Sequence, residues 1–315
     1  MVKLPNWMGD ILFSYDLLFT LSKHFDRVGL CTSTSHAELF RAFPIPRTEL
    51  ILYSPADWPW LDRDTILKLE AFRADAGLLL PNSLGSALVF RFAGISHLYG
   101  YSTEHRGFLL EESLPKPVQR LHQRDYYLKL LALLDLAPEP YPALAGNRGR
   151  TVVIHAGASK PPRAWHLDRY LKVGEALQNM GYDVVLVTQD PLTDGPLPRL
   201  VSPTLLQFTD LLKHAALFIG NDSGPLHLAQ QCGCPVVGIY GPGDPMVTGP
   251  RSLSPGRTVY SAFPCSPCRQ RFFRDCKPSQ SGKPFCIEVL TVDQVLKAAT
   301  DILSLQPHAS GVHMA

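Results

Sequence analysis

At 315 residues the chain exceeds the size at which one hydrophobic core usually keeps growing, so it reads as two domains of about 150 residues each. Hydrophobic residues make up 45%, charged residues 18%, and the net charge is +2, a balance that argues against a strongly charged polyanion binder and gives no reason to expect nucleic acid as a partner. No apolar run approaches the roughly 20 residues that span a bilayer, and MVKLPNWMGD lacks a signal-peptide core, so the cytoplasm is the expected compartment.

The chain opens with a very short apolar strand, a turn from Pro5 to Asp10, and an amphipathic pattern from Ile11 to His24, which predicts strand, loop and helix with Asp10 at the helix start. There a carboxylate is an N-cap worth about 1 kcal/mol. On the first turn at a sheet edge it is also ionised and exposed, as a general base must be. RVGLCTS, ELILYS and AGLLLPNS follow as short apolar runs ending in turn residues, with helical patterns such as HAELFRAF between them. This alternation predicts an α/β fold, a parallel sheet with helices on both faces. Asn82, Ser83 and Ser86 stand where a strand meets a helix, and Arg106 follows in a loop. Ser83 as a cap and Arg106 as a solvated side chain is one reading. Arginine at that edge also suits carboxylates and phosphates. HQRDYYLKLLALLDL predicts an amphipathic helix closing this half, and APEPYPALAGNRGR reads as the linker, giving a first domain of residues 1–145.

A second domain, residues 151–305, begins with a strand from Thr151 to His155, a loop holding Gly157, Ala158, Lys160, Arg163 and Trp165, a helix from about Leu167, and a strand from Asp183 to Thr188. The helix in SPTLLQFTDLLKH leads to the apolar run LFIG, which NDSGP breaks with residues suited to a tight turn and an N-cap near Ser223. Asp222, Ser223 and Gly224 leave room for an anion against free backbone N–H groups, and His227 sits one turn further in. PVVGIYG completes a βαβ unit at the same carboxyl edge. After Pro250 the α/β rhythm stops until TVDQVLKAATDILSLQ, a capped final helix, and residues 306–315 read as a mobile tail.

Among the seven cysteines, Cys31, Cys232 and Cys234 lie in or beside apolar segments and read as small buried residues. Cys265, Cys268, Cys276 and Cys286 have the spacing C-x2-C-x7-C-x9-C, which suits a structural tetrathiolate zinc site, although the second pair is irregular; free thiols or a disulfide are the other readings. Arg269, Arg271, Arg274 and Lys277 interleave with Phe272 and Phe273, as in a solvated loop or one resting on an anionic membrane surface.

The string D-S-G-P-x-H-L-A followed by G-x-P-V-V-G-I-Y-G-P resembles the signature of glycosyltransferase family 9, the heptosyltransferases, and P-N-W-x-G-D resembles the N-terminal loop of their heptosyltransferase II branch. With two successive α/β halves, the resemblance implies the GT-B architecture, two Rossmann-like domains facing across a cleft. It also implies inverting transfer of L-glycero-D-manno-heptose from ADP-heptose to the lipopolysaccharide inner core, with no metal cofactor. By resemblance Asp10 is the catalytic base, and Gly157, Ala158, Lys160, Arg163, Asp222, Ser223, Gly224 and His227 hold the donor. The segment from Leu80 resembles the family's acceptor side, so Asn82, Ser83, Ser86 and Arg106 would meet the acceptor. Two departures stand out. Fewer apolar residues than usual precede the N-terminal loop, so the first strand is expected to be short or frayed. Arg163 stands where the family commonly has a lysine two residues before a tryptophan, which leaves the diphosphate contact open between Arg163 and Lys160. A nucleotide-sugar epimerase of similar architecture and a non-catalytic nucleotide-sugar-binding protein are the competing functions. A dinucleotide oxidoreductase lacks its early G-x-G-x-x-G.

Overall fold

The computed structural model describes residues 1–54, 63–142, 144, 148–189, 195–251, 254–268 and 271–305, which leaves Arg269 and the C-terminal tail outside the described residues. The chain divides into two compact units, Met1–Pro142 and Ala143–Ala315. Among the described residues each unit carries one six-stranded sheet in which every pairing is parallel.

Unit one runs β1 (Val2–Lys3), α1 (Met8–Phe13), α2 (Tyr15–His24), β2 (Val28–Ser33), α3 (Ala37–Ala42), β3 (Thr48–Tyr53), α4 (Arg63–Phe72), β4 (Ala76–Leu79), α5 (Leu84–Phe92), β5 (His97–Tyr101), β6 (Glu112–Leu114) and α6 (Gln123–Leu128). The sheet order is β3-β2-β1-β4-β5-β6, the doubly wound Rossmann order. Although β1 has two residues, both are buried and pair with β2 on one side and β4 on the other, so the strand is short without being frayed. The expected helix from Ile11 begins earlier, at Met8, and breaks at Ser14, whose hydroxyl donates to the Ile11 carbonyl at 2.7 Å. The expected closing helix is α only to Leu128 and continues as a 3-10 turn from Lys129 to Leu134. Part of the segment read as linker packs on this unit: the Tyr141 N–H donates to Asp16 Oδ1 at 2.7 Å and the Glu139 N–H to Thr20 Oγ1 at 2.9 Å.

Unit two runs β7 (Thr151–His155), α7 (Leu167–Asn179), β8 (Asp183–Thr188), β9 (Arg199–Val201), α8 (Leu205–His214), β10 (Leu217–Asn221), α9 (Gly224–Gln231), β11 (Val236–Tyr240), α10 (Pro245–Thr248), β12 (Gly256–Tyr260), α11 (Phe285–Glu288) and α12 (Val292–Leu303). Its order, β12-β11-β10-β7-β8-β9, is the same winding. Central strands β10 and β11 are buried along their whole length because helices cover both faces. Val152, Ile154, Leu217, Ile219, Val237 and Ile239 from β7, β10 and β11 form the centre of this core. Capping boxes at Thr204 with Gln207 and at Thr291 with Gln294 start α8 and α12. The sequence rhythm does not stop at Pro250, as expected, but adds β12 as an edge strand. Among the described residues no helix is long and apolar enough to cross a membrane.

Candidate functional site

In a doubly wound sheet the strand order reverses at one point, and the loops leaving the carboxyl ends of the two strands there splay apart to make a crevice. In unit one that point lies between β1 and β4. The loop after β1 carries Asn6 and leads to Asp10, while the loop after β4 carries Asn82 and Ser83. In unit two it lies between β7 and β10, whose loops carry Gly157 to Arg163 and Asp222 to Gly224. Every residue singled out from the sequence for donor contact, apart from His227 one turn further along, therefore leaves one of the two strand ends at the switch point of its unit.

Trp7 is the N-cap of α1, with no side-chain cap bond, so Asp10 sits in the first helical turn and is not itself the cap. Its carboxylate is half-buried where the helix dipole favours negative charge. It also lies close enough to Tyr127 of α6 that, after burial, its charge is the next cause pushing that phenol's pKa up. Lys3, which the sequence reading passed over, anchors the loop between β1 and α1. Its fully buried ammonium donates to the Leu4 carbonyl at 2.7 Å and to the Tyr53 hydroxyl at 3.1 Å, and that hydroxyl donates to Asn6 Oδ1 at 3.3 Å. Burial pulls the Lys3 pKa down to about 8. A charged residue inside a two-residue strand was the available signal.

On the β4 side, Ser83 caps α5, accepting from the Ser86 N–H at 3.4 Å, and Asn82 Oδ1 accepts from the Tyr126 hydroxyl at 2.9 Å. Both residues keep accessible surface. Arg106 and Ser86 do not: each is 0% exposed. The Arg106 guanidinium donates to the carbonyls of Tyr101 (2.9 Å), Pro81 (2.7 Å) and Ser83 (3.0 Å) and to Ser86 Oγ (3.2 Å). Burial lowers its pKa to about 10, which leaves it charged at neutral pH. Neither the acceptor contact expected of Arg106 and Ser86 nor the alternative of a solvated arginine fits this placement. Together they brace the loop that presents Asn82 and Ser83.

In unit two, β7 ends at His155, which burial holds neutral by pushing its pKa down to about 4. Its Nδ1 accepts from the Gly157 N–H at 3.3 Å and so sets the start of the loop. Lys160 is exposed, and Arg163 closes the 3-10 turn Pro161–Arg163. Asn221, another residue the sequence reading did not single out, joins the two switch-point loops. Its Oδ1 accepts from the Trp165 N–H (3.1 Å) and the Tyr170 hydroxyl (2.9 Å), and its Nδ2 donates to the Arg163 carbonyl (3.0 Å).

Asp222, 6% exposed, is the hub. Its Oδ2 accepts from Arg163 Nη2 at 2.8 Å, the same nitrogen donating to the Asp222 carbonyl, and Oδ1 accepts from Thr248 Oγ1 at 3.0 Å and faces His227 Nε2 at 3.7 Å. Burial works to raise the Asp222 pKa; the hydrogen bond and charge of His227, the charge of Arg163 and the Thr248 hydroxyl overcome it and hold the carboxyl below its usual value. Ser223 is the N-cap of α9 but its side chain makes no cap bond, donating instead to the Asn221 carbonyl at 3.1 Å. The first-turn N–H groups of α9 are thus left without a side-chain cap, the local arrangement in which a helix start takes an anion.

Cys265, Cys268, Cys276 and Cys286 all line one cavity of about 230 Å³, with Phe263, Phe272 and Pro242 on its wall. None of the four is joined in a disulfide. Burial first, then the other three thiols, pushes Cys286 up to about 11. Among the described residues no three His, Cys, Asp or Glu side chains are grouped as ligands of one metal ion.

The profile described as "Glycosyltransferase family 9 (heptosyltransferase)" matches residues 64–145 and 139–275. Lipopolysaccharide heptosyltransferase 2 of Escherichia coli K12 is 26% identical over 297 residues, covering 79% of this chain and 84% of that protein. Lipooligosaccharide heptosyltransferase 2 of Campylobacter jejuni serotype O:2 is 24% identical over 335 residues, covering 96% of this chain and 97% of its own length. Among solved structures, E. coli ADP-heptose lps heptosyltransferase II superposes with a TM-score of 0.74 at 24% identity, covering 96% of this chain and 98% of that one, and so shows the same fold.

Proposed function

Because the chain belongs to glycosyltransferase family 9, the heptosyltransferases, we propose that it moves L-glycero-D-manno-heptose from ADP-heptose to the inner core of lipopolysaccharide. The observation that carries this reading is the placement of Asp10 and of the Asp222 hub at the switch points of two units wound alike. Asp10 takes the proton of the acceptor hydroxyl, the freed oxygen bonds to the anomeric carbon with inversion, and the bonding pair to the donor leaves with ADP. The growing charge on the departing diphosphate is met by Lys160, by the Ala158 N–H in the loop that the Gly157 to His155 bond sets, and by the start of α9 at Ser223 and Gly224. Arg163 shares one of its nitrogens between the carboxylate and carbonyl of Asp222, so its first task is to orient that carboxylate. Asp222 and His227 in turn hold the sugar hydroxyls. Asn82 and Ser83 meet the acceptor.

The residues in this scheme supply the charge stabilisation without a metal cofactor, and the four-cysteine cavity takes no part in it. Metal analysis of the purified protein checks the structural zinc reading of that cavity, one zinc per chain supporting it and metal-free protein removing it. The acceptor is a lipid, so the enzyme works at the cytoplasmic face of the inner membrane; sedimentation with anionic vesicles tests whether it rests there peripherally. The deciding experiment is incubation with ADP-heptose and Kdo-lipid A or heptosyl-Kdo-lipid A, with products weighed by mass spectrometry. Addition of one heptose supports the assignment, and intact acceptor beside an altered nucleotide sugar would replace it with epimerisation.

A further inference from the structure

The loop after β11 also reaches the Asp222 carboxylate and carries no residue that the family signature marks for donor contact. Three features tie it to the carboxylate. Thr248, the last residue of α10, has its hydroxyl 3.0 Å from Asp222 Oδ1 and 3.3 Å from the Asp244 carbonyl. A hydroxyl has one proton to give, and the shorter, charge-assisted bond to the carboxylate is the stronger claim on it. The backbone of Thr248 is itself clamped, since the buried Tyr240 hydroxyl donates to its carbonyl at 2.8 Å, and α10 is started by Asp244, whose side chain accepts from the Met246 N–H at 3.0 Å. Finally, a Cβ added at Gly243 would stand 2.1 Å from Asp222 Oδ2, closer than any unbonded pair of heavy atoms approaches. Only glycine at 243 leaves the carboxylate where Arg163, His227 and Thr248 can all reach it.

We propose that Thr248 is a positioning residue for the sugar of the donor, fixing the Asp222 carboxylate from the β11 side, and that Gly243 provides the space this arrangement requires. The inference rests on the reading that Asp222 faces the donor sugar. Thr248 touches no reacting atom; it acts through Asp222, so its loss falls on recognition of the sugar and spares the nucleotide.

The test compares wild type, Thr248→Val, Thr248→Ser and Gly243→Ala by calorimetry with ADP and with ADP-heptose, and by transfer kinetics. Valine keeps the shape and removes the proton donor; it should weaken ADP-heptose binding and raise the donor KM about tenfold or more, as for a lost hydrogen bond to a charged group. ADP affinity and the acceptor KM should stay at wild-type values, and serine should restore the donor KM. Gly243→Ala should show the same selective loss by displacing the carboxylate. A Thr248→Val enzyme with wild-type ADP-heptose affinity overturns the proposal, as do equal losses for ADP and ADP-heptose, which mark a loosened loop. Should valine fail to fold, Gly243→Ala against wild type decides by the same criterion. If the wild type itself binds ADP-heptose no better than ADP, the sugar-facing reading of Asp222 falls and this inference with it. A wild-type preference that survives in the variants sinks the inference alone.

Discussion

Asp10 and Arg106 show how much a side chain's role depends on what surrounds it. Asp10 keeps surface in the first turn of α1, so Asp10→Asn should lower transfer by at least about 10²-fold, the range of a general base, while ADP-heptose affinity stays near wild type. Wild-type turnover in that variant would take Asp10 out of the mechanism. Arg106, by contrast, has three carbonyls and a hydroxyl depending on it in a place water does not reach. Truncation to Ala should cost about 2–4 kcal/mol in a denaturant titration, because buried acceptors lose their donors. His155 gives stability a pH dependence. Its pKa in the folded chain is about 4 against 6.5 unfolded, so the unfolded state binds the extra proton between these values. Its contribution is complete above pH 6.5 and is lost as pH falls through that window. His155→Gln should flatten the decline in melting temperature between pH 6.5 and 4; an unchanged profile would mean that other groups cause it.

Between elements, the ion pair of Arg163 and Asp222 couples the loop after β7 to the loop after β10. Residues in one buried network do not contribute independently, and their non-additivity is typically about 0.5–3 kcal/mol. Calorimetry on Arg163→Ala, Asp222→Ala and the double variant with ADP-heptose should therefore show losses that fail to add. With ADP alone, Asp222→Ala should be nearly silent. Additive effects, or equal losses for both ligands in Asp222→Ala, would mean that the pair does not act as a unit on the sugar. The order of elements also explains why the break at Ser14 escaped notice: the apolar stripe of α1 and α2 runs through it, and the local hydrogen bond to Ile11 interrupts the helix without interrupting the pattern. Edge strands β6, β9 and β12 escaped for a related reason. They are largely exposed, so they lack the continuous apolar run by which central strands announce themselves.

At the scale of the whole chain, two units with the same doubly wound order place a loop-borne set of candidate side chains at each switch point. In the proposed scheme protein groups meet the charge that develops on ADP, and on that scheme transfer should continue in excess EDTA. Activity lost on chelation and restored by Mg²⁺ would call for a metal-assisted mechanism.

Sequence alone determined the alternation of strand and helix, the α/β class, and the strand-to-helix junctions at Ser83 and Ser223, because apolar period and turn residues act within a few neighbours along the chain; it set the first helix too late, at Ile11 where the structure has Met8. The family signature around Asp222 lies in one continuous stretch and was legible for the same reason. Tertiary structure alone decided which side chains meet: that Arg163 spends a nitrogen on Asp222, that Arg106 is sealed among carbonyls, that Lys3 anchors a loop, and that Thr248 and Gly243 close on a carboxylate more than twenty residues earlier. Burial and pairing depend on contacts between residues far apart in the chain, and no local pattern encodes them.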